Sequence, residues 1–178
     1  MDAPRRTRRP VDRLLDRLPP WLAPSPERQS WPRRLLRWAL AGFLGFAGVS
    51  HFTRPGEFLA QVPPYLPAPE LLVAVSGVVE IALALALVVL PRHRRVVGLV
   101  VLLFFLAVLP GNIAQYTEGR DAFGLDTDAA RLTRVLLSPL LWVWATAAGD
   151  LWPRPRVSRA APAGRPGRRP RRTRHRRG

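Results

Sequence analysis

The run SGVVEIALALALVVL, from Ser76 to Leu90, leaves few folds open. Extended back to Pro69 it reaches Pro91, and Glu80 is the one ionisable residue beyond Glu70. A membrane-crossing helix needs about 20 mainly apolar residues. This stretch supplies them, and three others do as well. The expected spans are 35–52, 70–90, 96–116 and 132–149, separated by turns that carry Pro, Gly and charge. A soluble bundle of four helices would need a polar stripe on each helix, and the runs 71–90 and 96–109 have none. The expected fold is therefore an all-α membrane protein, a bundle of four transmembrane helices over residues 35–150.

Charge is confined to the ends. All 28 basic residues are Arg; ten lie at or before Arg37 and eleven at or after Arg154, and the net charge is +16. So basic a chain suggests nucleic acid, but a soluble nucleic-acid-binding fold has no use for four apolar runs, and nucleic acid is not expected as the partner. Membrane lipid is, because Arg near an anionic surface gains about 1 kcal/mol each. The arm 1–34 holds VDRLLDRL, where Val11, Leu14, Leu15 and Leu18 form one apolar face, so an interfacial amphipathic helix is expected over 11–18. With that arm ahead of it and no convincing A-x-A site behind it, the first span reads as a signal-anchor. The tail 151–178 lacks the apolar residues to fold and is expected to be a disordered basic segment. The Arg residues flanking the spans number eleven on one side and four on the other. By the positive-inside rule both termini face the cytoplasm.

That topology gathers the polar and helix-breaking residues in the outer half. His51 ends the first span, Pro110-Gly111-Asn112 lies near the outer end of the third, and Ser138-Pro139 lies about a third of the way into the fourth. Ser76, Gly77 and Glu80 share a face of the second. The inner half reads as plain Leu, Val and Ala. A carboxylate near the bilayer centre costs at least about 2.5–3.5 kcal/mol, so Glu80 should be protonated, paired or turned to a polar cavity. Asn112 and Ser138 are the expected partners of a neutral Glu80, and Arg134 the alternative partner of an ionised one. Gly42, Gly45 and Gly48, three apart, are expected to admit a neighbouring helix closely. The loop HFTRPGEFLAQVPPYLPAPE is too apolar for solvent and suits a short interfacial segment capping an outer cavity.

Taken together, AGVSHF, P-x-x-F, VPPYLP, P-x-x-L-V-x-x-S-G-V-x-E-I and LPGNIAQY resemble the DoxX-like family of small bacterial membrane proteins over about residues 38–116. The pattern covers His51, Phe52, Pro64, Pro67, Gly77, Glu80, Pro110 and Asn112. The resemblance implies a bundle of four helices in the bacterial inner membrane, and its name links it to quinol and thiosulfate:quinone redox enzymes. Both Arg-rich ends fall outside it.

The expected function is an accessory or small-molecule-binding component of membrane redox metabolism. A quinone-like ligand would lie near Glu80, Asn112, His51, Ser76 and Ser138, with a redox enzyme as partner subunit and a homo-oligomer left open. A small proton-linked transporter and a purely structural subunit are the alternatives. A catalytic role is not expected: no nucleophile–base set stands out, and the spans lack the His or Met ligands of a haem at depth. The chain has no Cys, and His51 and His93 fall on opposite sides, so no metal is expected either.

Overall fold

The structure, a computed structural model, describes residues 19, 24–25 and 28–152. The helix expected over 11–18, most of the basic arm and the tail from 153 onward lie outside these residues. Those described are mainly helical and form no strand, only an isolated bridge between Ala122 and Leu125. Four helices are long: α1 (Trp31–Thr53), α3 (Pro69–Val89), α4 (Arg94–Thr117) and α5 (Asp128–Ala148). A short helix, α2 (Pro55–Leu59), follows α1, and a 3-10 turn, Pro91–His93, leads into α4.

Local chemistry sets the ends. Pro32 sits in the first turn of α1, where a missing N–H costs nothing, so α1 begins at Trp31 rather than the expected 35. Helix α5 begins at Asp128 rather than 132 because Thr127 caps it, its hydroxyl accepting from the Ala130 amide at 3.3 Å. Arg54 and Leu90 each precede a proline, which disfavours helical backbone at that position, and α1 and α3 stop there at φ −138° and −113°. Pro110 and Pro139 lie inside α4 and α5 without ending them. Each removes a backbone bond to the carbonyl four residues before, Leu106 and Val135.

Helix α1 packs on α3 and α4 on α5, with α1 also touching α5. The α1–α3 crossing is close because Gly77 has no side chain. A Cβ there would meet His51 Cβ at 2.7 Å and the Gly48 carbonyl at 3.0 Å. At the α4–α5 crossing a Cβ on Gly98 would fall 2.5 Å from Gly149 Cα. Gly48 fits the expected role, whereas Gly42 has nothing within 4 Å and admits no helix. Leu40, Leu44, Leu87 and Val101 are at most 1% exposed and anchor one core. Phe46, Leu71, Val89, Leu136 and Leu140 point outward, each more than 60% exposed. Three helical stretches, Trp31–Thr53, Pro69–Val89 and Pro91–Thr117, are long and apolar enough to cross a membrane. Helix α5, with Arg131, Arg134 and two Trp, falls short on apolarity.

Beyond the apolar layer of Leu44, Leu83, Leu87 and Val101, one end of the helices carries buried charge. Arg37 and Arg94 are each 4% exposed and Asp150 is 3% exposed. The Asp150 carboxylate accepts from Arg94 Nε at 2.7 Å and pairs with Arg33. Arg37 donates to the Leu87 carbonyl and, at 3.1 Å, to Gln29 Oε1; Gln29 Nε2 donates to the Ala148 carbonyl at 2.9 Å. Trp144 Nε1 donates to the Leu36 carbonyl at 2.9 Å. The start of α1, the end of α3, the start of α4 and the end of α5 are thereby tied together. Asp150→Ala should lower stability by about 3 kcal/mol, since removing one partner of a buried pair strands the other. Thermal unfolding in mild detergent, followed by circular dichroism, checks this; an unchanged midpoint would show the latch to be ornamental.

Candidate functional site

The end opposite Asp150 does not close. A cavity of about 930 Å³ separates the helices there and is roofed by α2 and the turns that follow. Its walls come from Phe43, Ala47 and His51 on α1, Val73, Ser76 and Glu80 on α3, Phe105 and Asn112 on α4, and Arg134, Ser138 and Leu141 on α5. All five residues expected to bind ligand, Glu80, Asn112, His51, Ser76 and Ser138, thus line one cavity. Pro110 lines it too, but Pro64 and Pro67 are exposed and off the wall, and Pro63 takes their place. Gly77 lies behind, under His51 and Phe52.

The pairing inside differs from the expectation. Asn112 Nδ2 donates to Ser138 Oγ at 3.4 Å, and Ser138 donates back to the Arg134 carbonyl at 3.2 Å. Asn112 thus bonds to Ser138 and Ser138 to its own helix, and neither bonds to Glu80. Glu80 Oε2 instead lies 3.3 Å from His51 Nδ1. That proximity is not a hydrogen bond, because the Nδ1 proton goes to the Ala47 carbonyl at 2.9 Å, one helical turn back. The bond to Ala47 fixes the tautomer of a neutral ring and leaves Nε2 as its acceptor. Glu80, 8% exposed, keeps Oε2 without a hydrogen-bond partner.

An aromatic stack runs from this pair to the roof. His51 stacks on Phe58 with centroids 3.6 Å apart, Phe58 meets Phe123 edge-on at 4.9 Å, and Arg134 Cζ lies 4.6 Å over the Phe123 ring. The roof is bolted down by amides. Gln61 Nε2 donates to Gln115 Oε1 at 2.7 Å, Gln115 Nε2 donates to the Ala122 carbonyl at 3.2 Å, and Arg120 donates to the carbonyls of Ala60 and Val62. The Phe123 amide donates to Glu57. Phe58, Gln61, Gln115 and Phe123 are functional candidates that the sequence reading did not select, and Arg134 entered it only as a partner for an ionised Glu80. Two signals were available: Gln115 is an amide within an apolar run, and Arg134 stands one turn before Ser138 on the same helix face. Among the described residues, no three His, Cys, Asp or Glu side chains gather as a metal would require.

Residues 40–149 match a family described as a domain of unknown function, DUF8561. The chain belongs to that family. No curated protein and no solved structure matches it. The DUF8561 match contains every residue of the cavity wall, while Gln29, Arg33, Arg37 and Asp150 of the latch lie outside it.

Gln115 is 1% exposed, and both ends of its amide are bonded. Gln115→Leu keeps the bulk, strands Gln61 Nε2 and leaves the Ala122 carbonyl with the Leu125 amide alone, a loss of about 1–3 kcal/mol. Hydrogen exchange over residues 55–68 should speed up relative to α1 and α3. Equal exchange in the variant and the wild type would remove Gln115 as the pin of the roof.

Proposed function

We propose that the chain is a DoxX-like integral protein of the bacterial inner membrane, in which α1, α3, α4 and α5 all cross the bilayer and both termini face the cytoplasm. Its cavity, in the outer half, binds a quinone-like molecule on behalf of a membrane redox partner. Helix α5 joins the three more apolar helices because its 21 residues span about 31 Å, the bilayer's hydrocarbon thickness. Its outward face is Leu132, Leu136, Leu137, Leu140 and Val143. The latch end collects Arg33, Arg37 and Arg94, the sign of charge that favours the cytoplasmic side.

The cavity carries the ligand reading. Its volume lies within the range of small-molecule sites, and it pairs apolar walls with a few polar groups. Glu80, a carboxyl group in that wall, suits a molecule that cycles between carbonyl and hydroxyl forms. As a carboxylate it accepts from a quinol hydroxyl, and once protonated it donates to a quinone carbonyl. A proton-linked transporter is disfavoured because Leu44, Leu83, Leu87 and Val101, all buried, pack beneath the cavity. No polar path continues through them.

Purification in mild detergent followed by mass spectrometry should find quinone retained at close to one per chain. Glu80→Leu should fold and bind a short-chain ubiquinone about tenfold more weakly, the loss of one hydrogen bond to a charged or acidic group. No quinone on the wild type, and no binding of the added one, would leave the purely structural subunit standing. The sides are tested separately on a chain without native Cys. Thr117→Cys should react with an impermeant thiol reagent on intact cells, and Arg92→Cys only after lysis; both positions are exposed.

A further inference from the structure

Arg134 is the cation in the cavity wall whose charge the protein leaves uncompensated. Among the described residues no carboxylate lies within 4 Å of it; its contacts are Gln61 Oε1 at 3.3 Å from Nη2 and the face of Phe123. Four of the acids at this end are engaged elsewhere. Asp121 and Asp128 pair with Arg131, Glu118 with Arg120, and Glu57 with the Phe123 amide. Glu80 shares the cavity with Arg134 and forms no ion pair with it. A guanidinium carries five N–H donors, and one of them is used by a side chain here. A partly buried cation without an anion is unfavourable; a bound anion removes that penalty.

The same wall says what kind of anion fits. Leu137 and Leu140 line the cavity on α5, one and two turns below Arg134, yet are 54% and 61% exposed. Phe43 across from them on α1 is 40% exposed. Through these wall residues the cavity borders the outward apolar face of α5, the route by which a membrane's acyl chains, and not water, would reach it. A free inorganic anion cannot use that route, but a lipid-soluble molecule with a tail can.

We propose that the cavity takes an acidic amphiphile, its anionic head on Arg134 and its apolar body running out along Leu137 and Leu140. This rests on the cavity being a site for a lipid-soluble ligand, and it does not require a quinone. Carboxylate and phosphate heads both match the guanidinium fork.

The test uses the full chain in nanodiscs of zwitterionic lipid, with a fluorescent polyene fatty acid, its methyl ester and a short-chain ubiquinone as probes. The acid should bind the wild type at least about tenfold more tightly than the ester, the weight of one charge-assisted hydrogen bond. Arg134→Gln should abolish that preference and leave ester binding within about twofold. Arg134→Lys, which keeps the charge, should retain part of the preference, and its retention shows that the Gln result is not misfolding. Competition by a lysophosphatidic acid against a fatty acid of equal chain length tells which head is preferred, and either winner supports the proposal. Equal affinity for acid and ester, with ubiquinone still bound, would overturn the acidic head and leave the quinone reading intact. Acid binding that depends on Arg134 without ubiquinone binding would support the acidic amphiphile and overturn the quinone. Binding of no probe would overturn both.

Discussion

Asp150 holds together chain segments that would otherwise have little reason to meet. Its carboxylate joins Arg94 at the start of α4 to Arg33 at the start of α1, and it lies two residues past the end of α5. The neighbouring bonds of Arg37 to Leu87 and of Gln29 to Ala148 bring in the ends of α3 and α5. Gly98 and Gly149 then let α4 and α5 close to backbone contact at the same end. A bundle clamped this way need not be packed along its whole length. The opposite end can stay open without the helices coming apart, because the roof residues Gln61, Gln115 and Arg120 bridge it with hydrogen bonds rather than with bulk.

This asymmetry was half legible in the sequence. The apolar runs gave the long helices to within a few residues, and Pro and Thr chemistry accounts for the earlier starts. Glu80, His51, Ser76, Asn112 and Ser138 were found as separate positions on different helices, and all five line one cavity. Helical spacing finds which residues share a face of one helix; it carries no information about which face meets which neighbour. That is why Asn112 and Ser138 were assigned to Glu80 when they bond to each other.

The latch and the roof were missed for a different reason. Arg33, Arg37 and Arg94 read as topology-setting charges, and Asp150 fell one residue beyond the last expected span. Their burial depends on four chain ends converging, a non-local fact. Gln61 and Gln115, 54 residues apart, pair only once the segment after α2 folds over the mouth.

The cavity holds an acid and a guanidinium that do not neutralise each other, although in a medium of low dielectric their attraction would be strong. What the fold provides instead of an ion pair is an aromatic stack. The His51 ring beside Glu80 rests on Phe58, Phe58 meets Phe123, and Phe123 carries Arg134 on its face. Each of the two groups is thus given a soft partner, an imidazole at 3.3 Å or a ring face at 4.6 Å, that steadies it without using up its hydrogen bonds. The Nδ1 proton of His51 is committed to Ala47, which leaves Glu80 Oε2 free to accept. Hydrogen-bonding capacity held back at two separate points of an apolar cavity serves no purpose for folding. It suits the role proposed for the cavity, a wall that meets oxygen at one end of a ligand and hydrocarbon along its side.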